Sequence, residues 1–145
     1  MFEDATRAGL ISRIEALRGS ETPQWGKMNV SQMVEHCIRW EQITNGQIKS
    51  PRVFLGYLFG KMALKSMTAD DKPVKQGMPT LKELVVTDTP AEFEAQKQKW
   101  IALLNDYKTN TTEYFMHPFC GKMTRDQTGI LSYKHTDHHL QQFGR

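Results

Sequence analysis

Three of the chain's five histidines, His135, His138 and His139, fall within five consecutive residues of a segment that otherwise reads as helix. His135 and His139 are four apart, so on a helix they lie on one face, one above the other. That is the spacing by which a helix offers two imidazoles to one metal ion. Turning the segment at about 100° per residue from Leu131 places His135 near 40°, His139 near 80°, Phe143 near 120° and Leu140 near 180°. Both histidines therefore sit inside the apolar arc. His138, near about 340°, falls on the polar edge with Lys134 and Gln141 beyond it. An unpartnered imidazole on a buried face loses its hydrogen bonds to water. A lone inward histidine is ordinarily a hydrogen-bonded core residue, but one metal ion would satisfy both members of this pair. Two ligands do not make a site, so a third must come from elsewhere.

The third candidate is His36. Asn29 or Ser31 can cap a helix that runs to about Thr44 and stops at Asn45-Gly46. Its apolar arc holds Val30, Met33, Val34, Cys37, Trp40 and Ile43, with His36 on the arc and Glu35, Arg39 and Gln42 facing out. His36, His135 and His139 would offer three neutral nitrogens and leave a fourth position open, the layout of a catalytic rather than a structural metal site. All-imidazole ligation suits zinc, nickel, copper or iron better than calcium or magnesium. An ion so held lowers the pKa of bound water, or binds and orients a thiolate.

These residues need long helices to position them. The spacing of Leu10, Ile11, Ile14 and Leu17 predicts an amphipathic helix over residues 3–18, ended by Gly19-Ser20. Pro51 opens a helix from Phe54 to Met67, followed by an irregular stretch with Pro73, Gly77 and Pro79. Thr89-Pro90-Ala91-Glu92 reads as a capping box starting a helix to about Tyr107. A loop is expected from Asn110 to Met123, and Thr124 with Gln127 forms the box that starts the histidine helix. No alternating strand pattern exceeds three residues. The expected fold is all-α: an antiparallel four-helix bundle whose long crossover connection, about forty residues, contains an extra helix.

Composition narrows the partners. At 145 residues the chain reads as a single domain over 1–145, burying about 70% of its unfolded surface without a staple. Hydrophobic content of 39% and charge of 24% exclude disorder. Nineteen basic against sixteen acidic residues, with no basic run, imply no nucleic-acid partner. Cys37 and Cys120 form no CxxC pair, which suits a reducing, cytoplasmic location. Met1-Phe2-Glu3-Asp4 lacks the cationic and apolar regions of a signal peptide. The most apolar run, Val53 to Leu64, is too short to span a bilayer and is interrupted by Lys61, so no membrane is expected. Its Gly56…Gly60 pair matches a membrane-dimer pattern only as a string, and a packed helix is the preferred reading.

Four stretches together resemble a known superfamily: Trp25-Gly26-Lys27-Met28, Val34-Glu35-His36-Cys37, His117-Pro118-Phe119-Cys120-Gly121-Lys122, and His135-x-x-x-His139-x-x-Gln142-Phe143-Gly144. Over nearly the whole chain they are similar to the DinB/YfiT-like superfamily, and most to a small bacterial branch pairing an HPF-x-GK loop with a final His-x-x-His-His helix. The resemblance implies an up-down-down-up four-helix bundle and a divalent metal, zinc or nickel, on His36, His135 and His139. It also implies a metal-dependent thiol S-transferase or hydrolase, acting on a small molecule such as a low-molecular-weight thiol.

Further residues have competing readings. His117 could approach metal or substrate, or tie down loop backbone. Gln142 lies beside His135 on the wheel and could support a ligand, or sit on the surface. Glu41 lies in the apolar arc of its helix and could act as a base or a histidine partner, with an interhelical salt bridge preferred. Asp137 reads as a solvated charge and Cys37 as a small core residue. The alternative to an enzyme is a non-catalytic helical-bundle protein kept for binding or for homodimer formation.

Overall fold

Helix ends need outside partners, and capping side chains satisfy the amide groups that a helix cannot satisfy internally. A computed structural model describes residues 1–90 and 92–145. Its elements run α1 (Asp4–Glu15), α2 (Val30–Thr44), α3 (Phe54–Thr68), α4 (Phe93–Asn105), β1 (Tyr114–His117), β2 (Gly121–Thr124) and α5 (Arg125–Gln142). Asn29 caps α2 and Thr124 caps α5, each in a full box with a glutamine, Gln32 and Gln127. Those two caps fix the helices that carry the histidines. The box expected at Thr89-Pro90-Ala91-Glu92 differs. Ala91 lies outside the described residues, and α4 starts at Phe93 after a left-handed Glu92 (φ 62°) whose side chain makes no cap bond. Thr89 is engaged elsewhere, its hydroxyl accepting from Asn29 Nδ2 at 2.9 Å.

The chain is mostly helical but not all-α. β1 and β2 pair antiparallel, with Phe115 opposite Met123 and His117 opposite Gly121, where a loop is expected from the sequence. Each strand has only four residues, too short for its alternation to stand out. The turn between them is closed from within: His117 Nδ1 accepts the amide N–H groups of Phe119 at 3.1 Å and Cys120 at 3.0 Å. Gly121, at φ 84°, takes the left-handed backbone the turn requires.

Two apolar clusters organise the packing. The larger joins Leu10 and Ile14 of α1, Met33, Val34, Cys37 and Ile38 of α2, Trp100 and Leu104 of α4, and Leu140 of α5. The smaller joins Leu64 of α3, Cys120, Met123 and Leu131, with Trp40 and Met67 packed against it. Lys134, on the expected polar edge of α5, is instead buried; its ammonium donates to the carbonyls of Met67, at 2.9 Å, and Asp70 as α3 ends. That gives orphan helix-end carbonyls a charged donor. Gly56 and Gly60 of α3 lie directly on the Phe119 carbonyl, where an added Cβ would collide. The glycine pair is thus a packing device inside the chain.

The connection from α3 to α4 is strapped to the polar side of α2. Gln32 Nε2 donates to the Thr87 carbonyl at 3.1 Å, and Arg39 Nη1 donates to that of Val85 at 2.8 Å. With the Asn29–Thr89 bond, the helix offers the strap a side chain about once per turn. Leu84, in a single 3-10 turn, is buried beneath it. Among the described residues no helix is long and apolar enough to cross a membrane.

Replacing Gly60 by alanine should cost about 2 kcal/mol or more, because the clash with backbone outweighs alanine's helix advantage of about 1 kcal/mol. Gly9 of α1 has nothing within 4 Å of an added Cβ, so Gly9→Ala should gain up to about 1 kcal/mol. Urea unfolding of both variants checks this, and equal midpoints would refute the packing assigned to α3.

Candidate metal centre

The apolar stripe of α2 carries His36 to the inside, and α5 delivers His135 and His139 one turn apart against it. Each ring offers a ligand atom within 4.8 Å of the others. His36 Nε2 and His135 Nε2 stand 3.1 Å apart. Two nitrogens about 2.1 Å from one ion at tetrahedral angles would stand about 3.4 Å apart. The His139 ring lies edge-on to both, its centroid 4.6 Å from that of His36 and 4.7 Å from that of His135. The cluster contains no carboxylate and no thiol.

Hydrogen bonds outside the cluster assign the tautomers. His36 Nδ1 lies 2.8 Å from the Leu84 carbonyl, an obligate acceptor, so the proton sits on Nδ1 and Nε2 is bare. Gln142 Nε2 donates to the Trp25 carbonyl at 2.8 Å, which orients the amide and leaves its Oε1 facing His139 Nδ1 at 2.9 Å. His139 therefore donates through Nδ1 and keeps Nε2 bare. His135 has no such partner: its Nδ1 is buried and unpaired. With its proton on Nε2 it can donate to His36 but leaves Nδ1 an unpaired acceptor. With the proton on Nδ1, an unpaired donor remains and the bare lone pairs of the three rings converge. A cation among the Nε2 atoms would relieve the convergence, so the donor set fits a divalent metal.

Burial keeps the cluster neutral. It lowers the pKa of His36 against the opposing Leu84 hydrogen bond, and lowers that of His139 to about 3. His135 falls well below the ordinary value, first by burial and then by the neighbouring His139 and His36. A neutral imidazole is the form that binds metal.

The other sequence candidates take varied places. Gln142 is buried and bonded to His139 as described. His117 is outside the cluster and ties down the hairpin turn, with its Nε2 buried and unpaired and its pKa lowered to about 4 by burial. His138 is half-buried, edge-on to His139 and tilted against Trp25. Asp137 is not a free charge: it pairs with Arg13 of α1 at 2.7 Å. Glu41 forms no salt bridge among the described residues and touches no histidine through hydrogen bonds. It is buried, and its Oε2 accepts from the Tyr107 hydroxyl at 2.7 Å. That hydroxyl also meets Ser132 Oγ at 2.7 Å, which accepts the Trp40 indole N–H at 3.1 Å.

Two contributors were missed from the sequence. The Trp40 ring stacks on His135 at 4.3 Å and 16°; its position four residues after His36 on one helix face was the available signal. The Leu84 carbonyl is backbone and left none.

Residues 2–145 match the family model described as "Protein of unknown function (DUF1569)". No curated protein and no solved structure matches the chain.

Burial raises the Glu41 pKa from 4.5 to about 8, against the Tyr107 hydrogen bond. The folded chain therefore holds a proton that the unfolded chain releases first, and stability falls as pH rises between those values. Glu41→Gln should remove that slope. Relative to the parent, the variant should gain up to about 1.4 kcal/mol per pH unit between pH 5 and 8. Urea unfolding at pH 5, 6.5 and 8 measures it, and a pH-independent difference would refute a neutral Glu41.

Proposed function

The chain belongs to the DUF1569 family, and from its histidine cluster we propose that it holds one divalent cation, zinc or nickel, on His36, His135 and His139. The observation that carries this reading is the convergence of three imidazoles, two of which are turned by outer hydrogen bonds so that their bare nitrogens face inward, while the third, His135, has an unpaired outer nitrogen. The proposed activity is that of a metal-dependent enzyme of the DinB/YfiT-like kind, a thiol S-transferase or hydrolase. The shared core of α1, α2, α4 and α5, with α3 in the crossover, is compatible with the four-helix bundle of that superfamily.

When bound, such an ion supplies Lewis acidity towards water or a thiol. The chain's own residues do the rest. The Leu84 carbonyl and Gln142 hold two rings in the ligating tautomer, and Trp40 covers one face of the third. With no carboxylate in the cluster, the ion itself would acidify whichever nucleophile it held, water or thiol.

Protein purified without a tag or chelator should carry about one divalent ion per chain. His135→Ala and His139→Ala should each weaken binding severely, by about a hundredfold or more, since losing a ligand exceeds the 10–100-fold loss typical of a supporting residue. His138→Ala should leave it near the parent value. Equal losses at all three would refute the assigned ligand set.

The pH dependence follows from the lowered histidine pKa values. A ring held neutral in the fold stabilises fully above about pH 6.5, and the contribution is lost as pH falls through the lower folded values. The metal-free chain shares this acid sensitivity, so the deciding quantity is the difference between metal and chelator. Excess zinc or nickel should raise the melting midpoint at pH 7.5, with an increment that shrinks steeply towards pH 5. A midpoint indifferent to metal at both pH values would defeat the metal reading.

A further inference from the structure

Helix α3 turns its glycines to the protein and its bulky residues to solvent. Gly56 and Gly60 are buried against Phe119, while Phe54 is 76% exposed, Tyr57 68%, Leu58 65% and Met62 66%. Leu55 and Phe59 flank them and are also exposed. At about 100° per residue, Phe54, Leu58, Lys61, Met62 and Lys65 share an arc of about 100° directly opposite the two glycines. Nothing in the described chain covers this arc. A run of exposed Phe, Leu, Tyr and Met on one helix is the kind of patch a monomer rarely leaves without a use.

Charge says what fits it. Between Glu41 and Asp70 the sequence holds Lys49, Arg52, Lys61 and Lys65 and no acidic residue. Lys61 and Lys65 are exposed and lie on this apolar face, Lys65 at the middle of the arc and Lys61 at one edge of it, between Phe54 and Tyr57. Arg52 is held by the carbonyls of His117 and Phe119 at 2.9 and 3.1 Å, and its guanidinium lies 4.6 Å from the Tyr57 ring centre. A second copy on this face would bring identical patches together about a two-fold axis. Lys61 and Lys65 would then oppose their own counterparts with no carboxylate on the patch to pair with. Protein interfaces are depleted of lysine at their centres for the related reason that an ammonium is costly to desolvate. At a bilayer surface the same lysines are an asset. Their stems lie along the apolar layer and their ammonium groups reach anionic headgroups, while aromatic and aliphatic side chains enter the acyl boundary.

We propose that α3 is a peripheral anchor that lays the protein on an anionic lipid surface. The helix is too short to span, and it lies in the interface plane with Phe54, Leu58 and Met62 downwards and Lys61 and Lys65 among the headgroups. At about 1.5 Å per residue its fifteen residues give a footprint roughly 22 Å long. The expectation of no membrane partner rests on spanning length, a requirement that interfacial binding does not share.

The test is co-sedimentation of the full chain with vesicles of phosphatidylcholine alone and of phosphatidylcholine containing phosphatidylglycerol. Binding is expected to the anionic vesicles, weakening as salt is raised. The double variant Phe54→Ser with Leu58→Ser should bind at least about tenfold more weakly. Lys61→Gln with Lys65→Gln should lose roughly 25-fold. All four side chains are exposed, so melting midpoints should stay at the parent value and separate lost binding from lost folding. No binding to anionic vesicles, or equal binding by parent and variants, would overturn the proposal. A concentration-dependent dimer that the Phe54→Ser, Leu58→Ser variant dissociates would give the face to a second copy and overturn it as well.

Discussion

The structure depends on keeping three imidazole rings neutral and facing one another, two of them buried and His135 partly so. Water would stabilise each ring's charged form, so burial lowers each pKa, and the rings enter the core as neutral acceptors. Neutrality alone does not satisfy them. Each neutral ring carries one N–H and one lone pair, and a core must find a partner for both. The Leu84 carbonyl and the Gln142 amide take the outer N–H of His36 and His139, which turns the lone pairs of those rings inward. His135 is left with an unpaired Nδ1. That unmatched nitrogen is why an apolar core with polar decoration is an incomplete account of this region.

Helix α2 meets this constraint by serving two neighbours at once. Its inward stripe packs Met33, Val34, Cys37 and Ile38 in the main core and points His36 at α5. The side next to His36 uses Asn29, Gln32 and Arg39 to hold the strap. Each such hydrogen bond is worth only about 1 kcal/mol net. Their joint effect is positional, because the strap delivers the Leu84 carbonyl that fixes the His36 tautomer. The Asn29–Gln32 box fixes where α2 begins.

Much of this was legible in the sequence, and what was not has identifiable causes. The boxes at Asn29 and Thr124 were readable because capping is local chemistry. The inward faces of His36, His135 and His139 were readable because helical periodicity is strict. The box at Thr89 misled because its hydroxyl is claimed by Asn29, a neighbour sixty residues away. The hairpin was missed because it is held by His117 accepting two backbone amides, an interaction no strand propensity encodes. Glu41 was placed on the right face and given the wrong partner. An ion pair is the usual way to bury a carboxylate, but burial here favours a proton on the carboxyl instead.

The two buried polar sets are neighbours, and Trp40 touches both. Its ring lies on His135, and its indole N–H reaches the Ser132 hydroxyl that connects through Tyr107 to Glu41. Both sets require neutrality, but their protons pull stability in opposite directions as pH changes. Below about pH 6.5 the unfolded chain binds protons that the buried histidines refuse, so stability rises with pH. Between 4.5 and about 8 the folded Glu41 keeps a proton that the unfolded chain gives up, so its contribution falls with pH. His36, His117, His135 and His139 outnumber one carboxyl in the acid range, so the histidines set the slope there. Glu41 outweighs the histidines only above about pH 7, where most of the unfolded chain's imidazoles are already neutral, and there the Met1 amino group, its pKa lowered by burial, opposes it. The combined effect of these four histidines and Glu41 is therefore most favourable near about pH 7, where the unfolded chain's histidines have lost most of their protons and the folded Glu41 still holds its own.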